Sequence, residues 1–238
     1  MPKLGVNIDH IATLRQARGA GFPDLIKAAS VCEKSGADSI VCHLREDRRH
    51  IQDKDVYALR KKIKTKFNLE MSTIEEIVKI ALKVKPDEAT LVPEKRKELT
   101  TEGGLDVIKN KSKVCKVTKR LLKSGIFVSI FIDASKEQIQ AAKDIGAPFI
   151  EIHTGSYADA KNNHSKTAEL NKIKEAVRYA RLLGLRVNAG HGLDYDNVRP
   201  VASIQGIEEL NIGFSIIARS VFVGLDKAVS EMKKIINT

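Results

Sequence analysis

Three observations predict a closed (β/α)8 TIM barrel, an α/β fold. Short β-like runs alternate with helix-like segments along all 238 residues, the pattern of a parallel sheet with helical crossovers. The count of such runs is eight, enough to close a barrel. Their downstream ends repeatedly collect acids, histidines and amides, as in Val6-Asn7-Ile8-Asp9-His10, Ile40-Val41-Cys42-His43 and Ile150-Glu151-Ile152-His153. Barrel enzymes place their chemistry at strand ends in this way. One domain, 1–238, is expected, because α/β barrels often reach this length without dividing and no linker or low-complexity stretch interrupts the chain.

Taken in order, β1 is expected near Gly5–Asp9. A helix over Asp24–Ser35 stops at Gly36 and leads to β2 near Ser39–Leu44. The segment Asp53–Lys64 is the next helix, then β3 near Phe67–Met71, a helix over Thr73–Lys83 and β4 near Glu88–Val92. Helices at Lys113–Lys123 and Lys136–Ile145 flank β5 near Phe127–Asp133. β6 near Pro148–His153 feeds a long helix, Lys166–Leu183, which ends at Gly184 before β7 near Arg186–Ala189. A helix over Asp196–Ser203, β8 near Glu209–Ile212, and helices Ile216–Phe222 and Asp226–Ile236 close the chain. Alternate strand residues share a face. Asn7 with Asp9, Val41 with His43, Asn68 with Glu70, Phe149 with Glu151 and His153, and Asn211 with Gly213 therefore form one layer. The other parity is apolar: Val6 and Ile8, Ile40 and Cys42, Leu69 and Met71, Ile150 and Ile152, Leu210 and Ile212.

Composition narrows the function. Hydrophobic residues make up 42% of the chain, enough for a large core, yet no run of 18 apolar residues suggests a membrane span. The N-terminus runs straight into a strand without a signal-peptide pattern. Cys32, Cys42 and Cys115 lack metal-type spacing, and reduced thiols in a cytoplasmic protein are expected. The net charge of +11 is concentrated in Arg60–Lys66 and Lys109–Arg120, which read as solvated helix faces. With no Trp, 5% aromatics and no recognisable module, the chain lacks the stacking platform of a nucleic-acid binder. Positive potential does favour small anionic substrates.

Strand ends supply the chemistry. His43, Glu70 and His191 should face one barrel mouth from different strands, with Glu151 opposite. A carboxylate inside a barrel is expensive to desolvate unless it serves a purpose, and histidine titrates near neutrality. Gly190-His191-Gly192 after β7 and Gly213-Phe214-Ser215 after β8 suit phosphate, which barrels often bind with these loops and a helix N-terminus. Arg18, Arg45, Arg48 and Arg49 are a second cationic set. The β4 connection, with Glu94, Lys95, Thr100 and the pair Gly103-Gly104, is long enough to be a lid. A Schiff-base aldolase would want a lysine inside the barrel, and the strand ends offer only Lys95. A metal-dependent phosphosugar aldolase or epimerase would use Asp9, Glu151, His153 and His191, although their spacing identifies no metal. A nucleic-acid-binding barrel and an inactive scaffold are the readings outside catalysis.

Long ordered segments carry a resemblance: Gly5 to Arg15, His43 to Ile51, Asn68 to Met71, Leu91 to Arg96, Thr100 to Val107, Phe149 to Gly155, Val187 to Leu193 and Glu209 to Gly213. They resemble the pyridoxine 5′-phosphate synthase family almost end to end. The resemblance implies a TIM barrel that condenses 1-deoxy-D-xylulose 5-phosphate with 3-amino-2-oxopropyl phosphate, using no metal or organic cofactor. It implies proton transfer by His43, Glu70 and His191, assisted by Glu151. Asp9, His10, Arg45, His50 and Thr100 are then expected at the deoxyxylulose phosphate, and Asn7, Arg18, Gly192, Gly213 and Phe214 at the amino-ketone phosphate. A homo-oligomer, an octamer among the assemblies of the family, is expected as well. The family usually carries histidine where this chain has Phe214, so a backbone contact survives there and a side-chain charge does not.

Overall fold

The computed structural model describes residues 1–94 and 103–238. Eight parallel strands close in sequence order, each paired with its neighbours in the chain and β1 with β8. They are β1 (Lys3–Asn7), β2 (Ser39–Leu44), β3 (Lys66–Met71), β4 (Glu88–Leu91), β5 (Phe127–Ile132), β6 (Phe149–His153), β7 (Arg186–Gly190) and β8 (Ile207–Ile212). The helices are α1 (Asp9–Arg18), α2 (Leu25–Lys34), α3 (Asp53–Lys62), α4 (Glu75–Val84), α5 (Lys111–Lys123), α6 (Lys136–Asp144), α7 (Gly155–Ala158), α8 (Asn163–Leu182), α9 (Val198–Ala202), α10 (Phe214–Val223) and α11 (Leu225–Ile236). Side-chain caps set several helix starts. Asp24 accepts the Ile26 and Lys27 N–H groups ahead of α2, and Asn162 exchanges bonds with Ser165 at the start of α8.

The apolar strand parity is fully buried beneath the helices: Leu4, Val6, Ile40, Cys42, Leu69, Ile150, Ile152 and Leu210 belong to one core with the inner faces of the helices. The polar parity lines the barrel. At the N-terminal floor, the Lys66 ammonium meets Glu88 Oε2 at 3.2 Å and Glu209 Oε1 at 2.8 Å, and Asn188 Nδ2 donates to Glu88 Oε1 at 3.1 Å. Desolvation raises the Glu88 carboxyl, as does the charge of Glu209, against the pull of Lys66. Halfway up, Thr90 Oγ1 donates to Asn68 Oδ1 at 3.0 Å.

The fold corrects three expectations. β1 ends at Asn7 rather than Asp9, because Asn7 Oδ1 accepts the Asp9 N–H at 2.9 Å and turns the chain into α1. That helix was not expected; Ile11, Ala12 and Arg15 bury its inner face. Thr154 leads into α7, a single turn that was also not expected. The barrel also holds a lysine, Lys66, at the start of β3 and engaged by two glutamates, away from the downstream strand ends.

Candidate active site

The C-terminal ends of the strands gather most of the expected residues. His43 and Glu70 are register partners on β2 and β3. Asp9 joins them from the first turn of α1, its Oδ1 accepting the His43 backbone N–H at 2.8 Å. One ligand-type atom each from Asp9, His43 and Glu70 lie within 4.8 Å of one another. Asn7 Nδ2 reaches Glu70 Oε2 at 3.4 Å. Burial drives the Glu70 carboxyl well above its ordinary range, the charges of Glu151 and Asp9 push the same way, and the Asn7 bond opposes them.

Across the mouth, Glu151 Oε2 accepts from Asn211 Nδ2 at 2.7 Å. Desolvation lifts this carboxyl to about 8, against the Asn211 bond. His191 follows β7 with a left-handed backbone (φ 82°), and Gly192 continues in the same region (φ 76°). Thr154 pins this turn: its hydroxyl donates to the Gly190 and His191 carbonyls at 2.8 and 2.5 Å. Burial lowers His191 to about 4, and neighbouring His153 adds to the effect. At neutral pH the resting His191 is therefore neutral. The His153 and His191 rings lie 5.0 Å apart, and His153 Nδ1 is 3.0 Å from Asp133 Oδ1.

The turn after β2 is stiffened by ion pairs. Arg45 is buried with Nε 3.3 Å from Asp47 Oδ1. Arg15 holds Asp55 with two bonds, 2.8 and 2.6 Å, and donates to the His50 carbonyl at 3.2 Å. His50 Nδ1 accepts the Ile51 N–H at 2.9 Å, which leaves Nε2 as the protonated nitrogen. Burial lowers the His50 proton affinity. Arg48 is held by the first turns of α3 and α4, its Nε on Asp53 at 2.7 Å and a further bond to Glu76. Gly213 caps α10 at the end of β8. Phe214 is 69% exposed, and its ring meets the His10 imidazole edge-on at 5.3 Å.

Arg18 is exposed in the last turn of α1, about 13 Å along the helix axis from Asp9, and α1 packs against α10, the helix that follows Gly213. Thr100, Lys95 and most of the expected lid lie outside the described residues. The ligand set of the metal-dependent reading is not assembled: among the described residues the group at ligand spacing is Asp9, His43 and Glu70, while Glu151 is taken by Asn211 and His153 by Asp133. Residues to which the sequence assigned no chemical role at the site include Glu94, placed in the β4 connection but bonded to His43 at 2.9 Å, and Arg15, Asp133 and Asn211. Asp133 and Glu94 each follow a strand end, the same signal that marks His43. Asn211 was placed on the polar parity, with no hint of its partner.

Known proteins resemble this chain along its length. The sequence model of the family described as pyridoxal phosphate biosynthesis protein PdxJ matches residues 4–238. The pyridoxine 5′-phosphate synthase of Pseudoalteromonas translucida is 59% identical over 232 residues, covering 98% of this chain and 96% of that protein. That of Pelobacter propionicus is 55% identical over 236 residues, covering 99% of both. Among solved structures, KGPDC from Streptococcus mutans superposes with a TM-score of 0.66 at 16% identity, covering 100% of this chain and 98% of that one, a likeness of fold alone. Matched from residue 4 to residue 238 and more than half identical to these synthases, the chain belongs to the PdxJ family of pyridoxine 5′-phosphate synthases.

Proposed function

We propose that this enzyme condenses 1-deoxy-D-xylulose 5-phosphate with 3-amino-2-oxopropyl phosphate, releasing pyridoxine 5′-phosphate, inorganic phosphate and water. The observation that carries the reading at the level of residues is the set of shifted proton affinities at one mouth: Glu70 and Glu151 raised, His191 lowered. Such tuning suits a sequence of deprotonations, dehydrations and a ring closure. The substrate brings the amine that forms the imine, so the chain needs no lysine at the reacting atoms; Lys66 is engaged at the other end of the barrel.

Within this reading His43 takes protons. Glu70, whose burial favours the protonated form, passes a proton back and forth rather than acting only as a base. His191 is neutral at rest and becomes a donor once two phosphate dianions raise its proton affinity. Glu151, largely protonated below about pH 8, faces intermediates as a neutral acid. Asp9, His10, Arg45, His50 and Thr100 take the deoxyxylulose phosphate. Asn7, Arg18, Gly192, Gly213 and the Phe214 backbone take the amino-ketone phosphate, where the start of α10 offers N–H groups. No helix of the described residues is long and apolar enough to cross a membrane, and a cytoplasmic location follows from the family reading. So does a homo-oligomer, supported by exposed Leu14 and Phe22 at α1 and its following turn and by Val221 and Phe222 on the adjoining α10.

The test supplies both phosphates and follows pyridoxine 5′-phosphate, with His43→Ala, Glu70→Gln and His191→Ala as variants. Each is expected to lose about 10²–10⁴ in rate. Wild-type rates in all three would defeat the assignments, and activity abolished by EDTA would favour a metal at Asp9, His43 and Glu70.

A further inference from the structure

Glu94 lies three residues beyond the end of β4, and its side chain is buried. Its two oxygens are both engaged. Oε1 is 2.9 Å from His43 Nε2, and Oε2 accepts the Glu46 backbone N–H at 2.9 Å. Burial opposes the charge on this carboxylate, but the bonds from His43 and Glu46 and the nearby Arg45 outweigh it and hold Glu94 below the ordinary range. An ionised carboxylate only accepts hydrogen bonds, so the proton between the pair belongs to His43 Nε2. Nδ1 then keeps its lone pair. The His43 backbone is fixed separately by Asp9, so the ring's remaining freedom is the one Glu94 removes.

We propose that Glu94 is a positioning residue that fixes His43 as the Nε2–H tautomer and leaves Nδ1 as the proton-accepting atom of the reaction. The inference rests on His43 acting as a base, as proposed above. Second-partner control of imidazole is a general device: the bond at one ring nitrogen decides the state of the other. A carboxylate that served only to tether the turn at Glu46 would do so equally well as an amide, whose oxygen still accepts that N–H. Against His43, an amide can turn its NH2 group toward Nε2 and stabilise the opposite tautomer, with the proton on Nδ1.

The experiment labels the full-length protein with ¹⁵N-histidine and reads the two ring nitrogens of His43, assigned by the signal lost in His43→Gln. Wild type is expected to show Nε2 protonated and Nδ1 bare. Glu94→Gln is expected to reverse that pattern and to lower kcat by at least about 100-fold, with KM changed far less. Glu94→Asp should retain the wild-type pattern and recover part of the rate. A wild-type spectrum with the proton on Nδ1 overturns the proposal, as does a Glu94→Gln enzyme with unchanged kcat or an unreversed tautomer. Should Glu94→Gln fail to fold, the wild-type spectrum alone decides. The spectrum requires no turnover, so it separates this inference from the assignment of the reaction.

Discussion

Asn211 on β8 reaches past β7 to hold Glu151 on β6, and Gly190 on the intervening strand makes this possible. The bond is 2.7 Å. A Cβ at position 190 would lie 2.5 Å from Glu151 Oε1 and 2.8 Å from the Asn211 carbonyl. Gly190→Ala is therefore expected to lose about 2 kcal/mol of stability, a fall of about 4–8 °C in Tm, along with most of the activity. Thermal unfolding checks it, and an unchanged Tm would count against the close approach.

The pH dependence of stability should carry the signature of Glu151. Folding raises this carboxyl from 4.5 to about 8, so the folded chain keeps a proton that the unfolded chain releases. The contribution is full below pH 4.5 and is lost as pH rises through 8. Glu151→Gln, which never ionises, should gain on wild type across that window by up to about 1.4 kcal/mol per pH unit. Denaturant titrations at pH 5, 7 and 9 would reveal it as a gap that widens with pH; a constant gap would be inconsistent.

The Phe214 ring packs edge-on against His10 at 5.3 Å and carries no hydrogen-bonding group of its own. Edge-on aromatic pairs are worth about 0.5–1.5 kcal/mol. Phe214→Ala should accordingly raise KM for one of the two phosphates by about 2–10-fold while leaving kcat and Tm nearly unchanged. A large loss of kcat would place this ring nearer the reacting atoms than the structure does.

Removing Lys66 leaves Glu88 and Glu209 facing each other without their cation. Breaking a buried pair in this way costs about 3–5 kcal/mol, and the partial exposure of Lys66 lowers the expectation to about 2–4. Lys66→Met should unfold at lower temperature yet retain synthase activity where folded. Complete inactivity of a well-folded variant would reopen the Schiff-base mechanism.

Much of this was legible in the chain. Eight strands, their order and the two parities follow from alternation alone, because burial of one face forces a period of two. The side-by-side placement of His43 and Glu70 was legible for the same reason. α1 was not: Asp9 and His10 continue the alternation of β1, and that pattern masks the local turn in which the Asn7 side chain accepts the Asp9 N–H and ends the strand. Lys66 was within reach, since it shares parity with Asn68 and Glu70, but a lysine beside a basic helix reads as surface until the register is known. The pairing of Glu94 with His43 spans 51 positions in the chain, and no local pattern encodes it.

The charged floor of the barrel has a consequence for the chemistry above it. Beyond desolvation and the Asn211 bond, Glu88 and Glu209 raise the proton affinity of Glu151 while Lys66 lowers it. These three groups sit at or near the start of their strands and act on Glu151 through the electric field along the barrel axis. Exchanging a side chain at that end can thus retune the working pH of the opposite end, a handle for adapting the catalyst to a more acidic or alkaline medium while leaving the strand ends unchanged.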